Sequence, residues 1–111
     1  MISANEAMRR TDAIIRESIS QRLARYEDIF RAIIINELDM IEKQICEEIQ
    51  QGAYALYGYN IHHIYEVGGF SIPGFKVMEA IEYELHKEGY SFTINFDSNP
   101  DLFCGLDIQW N

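Results

Sequence analysis

The sequence has no glycine or proline before Gly52, only two prolines in all, two cysteines and a single tryptophan among its 111 residues. Two prolines and seven glycines exclude collagen-like and linker-like chains. Two cysteines are too few for a disulfide framework. Apolar runs are short, as at Ala32 to Ile35, and none could span a bilayer. Basic residues are scarce: 9 Lys+Arg stand against 18 Asp+Glu, a formal net charge of −9. That field argues against binding to duplex nucleic acid, which needs a basic footprint. Neither GxxxxGK[ST] nor GxGxxG occurs. The N-terminus has no positive stretch followed by an apolar run, so the expected compartment is the cytoplasm. There Cys46 and Cys104 are expected to be small buried hydrophobes in a reducing environment, with a pairing between them left open.

What is present is the composition of a folded chain, 48% hydrophobic and 24% charged. Its charge is unevenly placed. Residues 1–31 hold six arginines, no lysine and five acids, a balance of +1, whereas residues 32–111 hold three lysines and thirteen acids, a balance of −10. Such asymmetry points to interaction.

The first half carries one helical pattern. Ser3-Ala4-Asn5-Glu6 fits a capping box. Apolar residues recur at Ile15, Ile19, Leu23, Tyr26, Phe30, Ile34, Leu38, Ile41, Ile45 and Ile49, a mean spacing of about 3.8 residues, and Gly52 stands where a helix-ending glycine belongs. A helix over about 4–51 would be roughly 70 Å long. The remaining 60 or so residues are too few to cover its stripe, so the helix either folds back near Asn36 and Asp39, its weakest helix formers, or meets other copies of the chain. Self-association through this helix is the favoured expectation. A spacing above 3.5 argues for a short bundle over a long left-handed coiled coil.

The second half is mixed. Tyr54 to Tyr59 and Ile61 to Val67 have strand composition, Gly68 to Gly74 reads as a loop, and Phe75 to Glu88 as a helix facing Val77, Met78, Ile81 and Leu85 inward. Tyr90 to Phe96 and Leu102 to Trp110 alternate as strands around a turn at Asp97 to Asp101. The expected fold is α+β: one domain over 1–111, with a long helix over 1–51 and, over 52–111, a small antiparallel sheet with one short helix.

Residues 54–65 concentrate aromatic and imidazole groups: Tyr54, Tyr57, Tyr59, His62, His63 and Tyr65. Such rings stack on bases and donate hydrogen bonds. Adjacent strand residues point to opposite faces, so His62 and His63 cannot chelate one ion, and neither a metal nor another cofactor is expected. Arginine suits bidentate contact with phosphate. In an oligomer Arg9, Arg16, Arg22 and Arg25 could reach a neighbour's Tyr54, Tyr57, Tyr59, His62 and Tyr65, making a pocket for a small phosphorylated base. Cys104 lacks an orienting partner for nucleophilic work, so no catalytic residues are assigned and an enzyme is not expected. Two rival expectations remain: an acidic module that mimics nucleic acid through exposed acids such as Glu37, Glu47, Glu48, Glu79, Glu82 and Glu84, and a structural oligomer with no small ligand.

The long charged helix ending in Ile49-Gln50-Gln51-Gly52-Ala53-Tyr54, the short helix ending in His86-Lys87-Glu88-Gly89-Tyr90 and the closing Ile108-Gln109-Trp110 form a layout that resembles small phage-encoded proteins. Among these are the sponge proteins of the anti-CBASS kind. The resemblance implies a non-enzymatic homo-oligomer that evades host immunity by sequestering a cyclic nucleotide signal at subunit interfaces, in the host cytoplasm. It carries over no ligand-binding residue.

Overall fold

Ser3 starts the first helix as its pattern predicts. Its hydroxyl accepts from the backbone N–H of Glu6 at 3.2 Å, which satisfies one of the donors a helix start leaves open. The Glu6 carboxylate turns forward to Arg9 and Arg10, the latter at 3.0 Å, rather than back to Ser3. From there α1 runs unbroken over Ala4–Gln50 in the computed structural model, which describes residues 1–96 and 99–111. It passes through Asn36 and Asp39 without folding back. Its end is a Schellman motif: Gly52 N–H donates to Ile49 C=O and Ala53 N–H to Glu48 C=O, both at 3.0 Å. One helix therefore sets the shape of the molecule, which measures 76 × 29 × 19 Å. The radius of gyration is 20.4 Å, against about 13 Å for a compact chain of this size.

The other elements are β1 (Ala55–His62), β2 (Ile64–Val67), β3 (Phe70–Pro73), α2 (Gly74–Lys87), β4 (Ser91–Asn95) and β5 (Leu102–Gln109). The α+β class expected from the pattern is what the chain adopts. Strands β1, β5 and β4 form an antiparallel sheet with β5 in the middle, while β2 and β3 form a separate hairpin. Two expectations need correction here. The first strand continues to His62, so the break falls at His63 and not at Asn60. The Gly68 to Gly74 segment is not a loop: only Gly68 and Gly69 turn, and Phe70–Pro73 pairs back on β2. Both glycines have positive φ, +59 and +81, which a two-residue hairpin turn of type I′ demands and only glycine meets without strain. The sequence-level turn at Asp97 to Asp101 lies partly outside the described residues. Its described part is an Asx turn, in which Asp101 N–H donates to Asn99 Oδ1 at 3.0 Å.

Helix α2 packs the sheet through the predicted Val77, Met78, Ile81 and Leu85, all buried. It can start so close to β1 only because Gly74 has no side chain: a Cβ there would lie 1.9 Å from the His62 carbonyl oxygen. The core closes with Ile33, Ile34, Ile41 and Ile45 of α1, Leu56, Tyr59 and Ile61 of β1, Ile72 of β3, and Cys104, Leu106 and Ile108 of β5. Each buried aliphatic side chain contributes about 1.5–3 kcal/mol relative to exposure. The expectation that both cysteines are buried holds for Cys104 alone. Cys46 is exposed, because it stands one step round the helix from buried Ile45, and both thiols are free.

The core reaches α1 only from about Tyr26 onward. Residues 8–25 of the helix are exposed throughout, including Ile15 at 50%, Ile19 at 55% and Leu23 at 58%. The molecule is thus a head, residues 26–111, with a bare helical arm, residues 4–25, about 33 Å long. No helix among the described residues is long and apolar enough to cross a membrane.

Candidate functional site

The aromatic segment is divided by the pleat of β1. Tyr59 faces the core, Tyr65 is half-buried, and Tyr54, Tyr57 and His62 are exposed. A bulge between Leu56 and Tyr59 resets the alternation: Gly58 N–H donates to Asp107 Oδ1 at 2.9 Å, while the other Asp107 oxygen accepts from Asn95 Nδ2 at 2.7 Å. Tyr54 and Tyr57 therefore stand apart from Tyr59. His62 stays beside Tyr65 through an edge-on ring contact at 5.3 Å, and its backbone N–H donates to the Tyr65 hydroxyl at 3.2 Å.

Tyr59 has a partner that its sequence neighbours do not reveal. Its hydroxyl donates to Glu37 Oε2 at 2.6 Å and lies 3.4 Å from the Glu37 carbonyl oxygen. Glu37 is 7% exposed, so it is not one of the surface acids that a charge mimic would display. Burial first, then the bond to Glu37 and its charge, hold the proton on Tyr59 far above the usual phenol range. Burial also pushes Tyr65 up to about 12, against the opposing donation from His62 N–H. Cys104 is pushed up to about 11 by burial alone, which keeps it a thiol at neutral pH and removes it as a ready nucleophile. Tyr59 is thus a fastening between sheet and helix, with no face open to a ligand.

The four arginines of interest lie along the arm. Arg9 is paired with Glu6, some 42 Å along the helix from Glu37, where Tyr59 docks, and Arg16 is about 32 Å from it. Within one chain neither reaches the aromatic strand. Arg22 and Arg25 do meet aromatics, but different ones. Their guanidinium carbons lie 5.7 and 6.0 Å from the centroid of the Phe70 ring. Phe70 meets Tyr26 edge-on at 5.6 Å, and Lys76 Nζ lies 6.0 Å from the Tyr26 ring. These distances are those of cation–π contacts.

Three elements make this cluster. Arg22, Arg25 and Tyr26 share a helical face at i, i+3 and i+4. Phe70 follows the Gly68-Gly69 turn, which rests directly on α1: a Cβ on Gly68 would lie 2.8 Å from Ile29 Cδ1 and 3.8 Å from Arg25 Nη2. Lys76 comes from the first turn of α2. Among the described residues Arg22, Arg25 and Lys76 form no ion pair, although the chain holds 18 acids. Sequence reasoning selected Arg22 and Arg25 and missed Tyr26, Phe70 and Lys76. Tyr26 was absorbed by the helix stripe, and Phe70 by the apparent loop. The i, i+3 spacing of the two arginines beside an aromatic was the available signal.

No protein-family model matches the chain, and neither a curated protein nor a solved structure does.

Proposed function

We propose that the protein is a non-enzymatic, self-associating binding protein that sequesters a small phosphorylated ligand, with a cyclic nucleotide immune signal in the host cytoplasm as the specific case suggested by its resemblance to phage sponge proteins. The observation that carries this reading is the cluster of Arg22, Arg25 and Lys76, three cations without ion pairs among the described residues, held against Tyr26 and Phe70 in a chain of net charge −9. Guanidinium groups offer two parallel donors to a phosphate, and the rings offer faces to a base. Single exposed ion pairs contribute little, so retention requires that the site be covered when occupied. The bare arm, which needs a second chain, supplies the means. Binding without turnover lowers the free signal in proportion to the protein present.

The test is isothermal titration with mononucleotides, cyclic mononucleotides and cyclic dinucleotides. The expected result is stoichiometric binding of one class, weakened at least tenfold by Arg22→Ala with Arg25→Ala, and ligand recovered unchanged. Heats indistinguishable from dilution across all three classes would remove the ligand reading.

A further inference from the structure

The arm needs a cover and the head has a groove. Between the second half of α1 and α2 lies a hollow of about 400 Å³ with an apolar floor of Ile41, Ile45 and Leu85 and an acidic rim of Glu42, Glu84 and Glu88. Past Glu84 it continues into a second hollow, also about 400 Å³, between Phe30 and Tyr83. Arg31 on that stretch of rim is paired with Asp28 at 3.8 Å and Glu84 with Lys87 at 3.5 Å, so Glu42 and Glu88 are the rim acids without an ion pair among the described residues. The crevice follows α1 from Tyr26 to Ile45, about 28 Å. On the arm, exposed Ile15, Ile19 and Leu23 repeat the four-residue spacing of Ile41 and Ile45.

The charges match as well as the spacings. Residues 1–25 carry five arginines and three acids, a balance of +2, while residues 26–111 carry four cations and fifteen acids, a balance of −11. The arm is a cationic amphipathic helix, and the crevice is an acid-rimmed apolar trough. Arm against arm in parallel would place like charges together and leave the trough open.

We infer that the arm of one copy docks in the α1–α2 crevice of a second copy, and reciprocally, so that the two α1 helices run antiparallel about a two-fold axis near Phe30. Ile15 of each copy then lies alongside Ile45 of the other, and Ile19 alongside Ile41. Arg16 of each copy, opposite Gln44, faces the acidic rim beside Glu42 and Glu88 of the other. The contact is isologous, so it closes at two copies. It rests on the self-association stated above and not on the identity of any ligand.

Sedimentation of the full chain tests the stoichiometry, and cysteine cross-linking in a Cys46→Ser background tests the geometry. The expected results are a dimer that weakens with salt, a covalent dimer on oxidation of Arg16→Cys combined with Glu42→Cys, and no cross-link from either substitution alone. Glu84→Lys with Glu88→Lys, both on the solvent-facing rim, should raise the dissociation constant tenfold or more, and adding Arg16→Glu should recover part of that loss. Cross-linking through Arg16→Cys alone, or a dimer that no variant cross-links, overturns the arm-in-groove arrangement and leaves self-association standing. A monomer at every concentration overturns both.

Discussion

The two halves of α1 carry one apolar repeat and meet opposite fates. Ile41 and Ile45 are 1% and 4% exposed, while Ile15 and Ile19, placed on the same stripe, are half in solvent. Periodicity therefore specifies a helix and a face, but not what lies against that face. Covering depends on chain elsewhere: the apolar core formed with residues 52–111 reaches back only to about Tyr26, and beyond it Phe70 meets just the side chains of Arg22 and Arg25. The charges separate the halves in the same place. The apolar face of the bare half is flanked by arginines, and the head around the covered half is acidic.

The contrast can be broken most forcefully at equivalent isoleucines. Ile41→Ala should cost about 2–5 kcal/mol in urea denaturation, because it empties a packed site. Ile19→Ala should change monomer stability by no more than about 0.5 kcal/mol, as for a surface substitution, and show its effect in association. Equal costs in dilute monomer would mean that the arm is covered within its own chain.

The second effect concerns how the covered half is fastened. Tyr59→Phe should cost about 1–3 kcal/mol, since it leaves the buried Glu37 carboxylate without its donor. The same region makes the head alkali-sensitive. Tyr59 and Tyr65 hold their protons above the usual phenol value of 10.0, Tyr65 up to about 12, and Cys104 holds its proton up to about 11 from 9.0. The unfolded chain releases these protons at lower pH than the folded one, so this contribution is intact below pH 9 and is lost as pH rises through 11 to 12. Thermal melts should fall steadily over that window, less steeply in Tyr59→Phe. A flat profile would contradict the burial of these groups.

The smallest effect sharpens the independence of the arm. Ser3→Ala should remove about 1 kcal/mol from the first turn of α1. Hydrogen exchange should accelerate at the start of the arm and remain unchanged at Ile41 and Ile45. An effect on the head would show that the two regions unfold together.

Much of this architecture was written in local chemistry. Ser3, Gly52 and Gly89 mark helix ends, and alternation at Phe92 and Ile94 or at Leu106 and Ile108 marks strands, because caps and pleats involve neighbours in the chain. The hairpin at Phe70 was hidden because Gly68, Gly69, Pro73 and Gly74 carry loop signals at both ends of a four-residue strand. The site was less legible. Arg22 and Arg25 stood out by charge, but the rings they stack on come from their own helix and from a hairpin about 45 residues later in the sequence. Glu37 looked like a surface acid because its partner, Tyr59, lies 22 residues away, across the connection from helix to sheet. Contacts across such separations leave no periodic trace.

The strand order β1-β5-β4 has a consequence in time. Strand β5 is the last of the three to be synthesised, yet it is the one to which both others bond. While the ribosome is still adding residues before Leu102, β1 and β4 have no partner, and Leu56, Ile61 and Ile94 have no finished layer to enter. Helices can form locally and early, but the sheet closes in one late step that joins residues about fifty positions apart. Until that step, a nascent head presents two open strand edges beside a sticky arm.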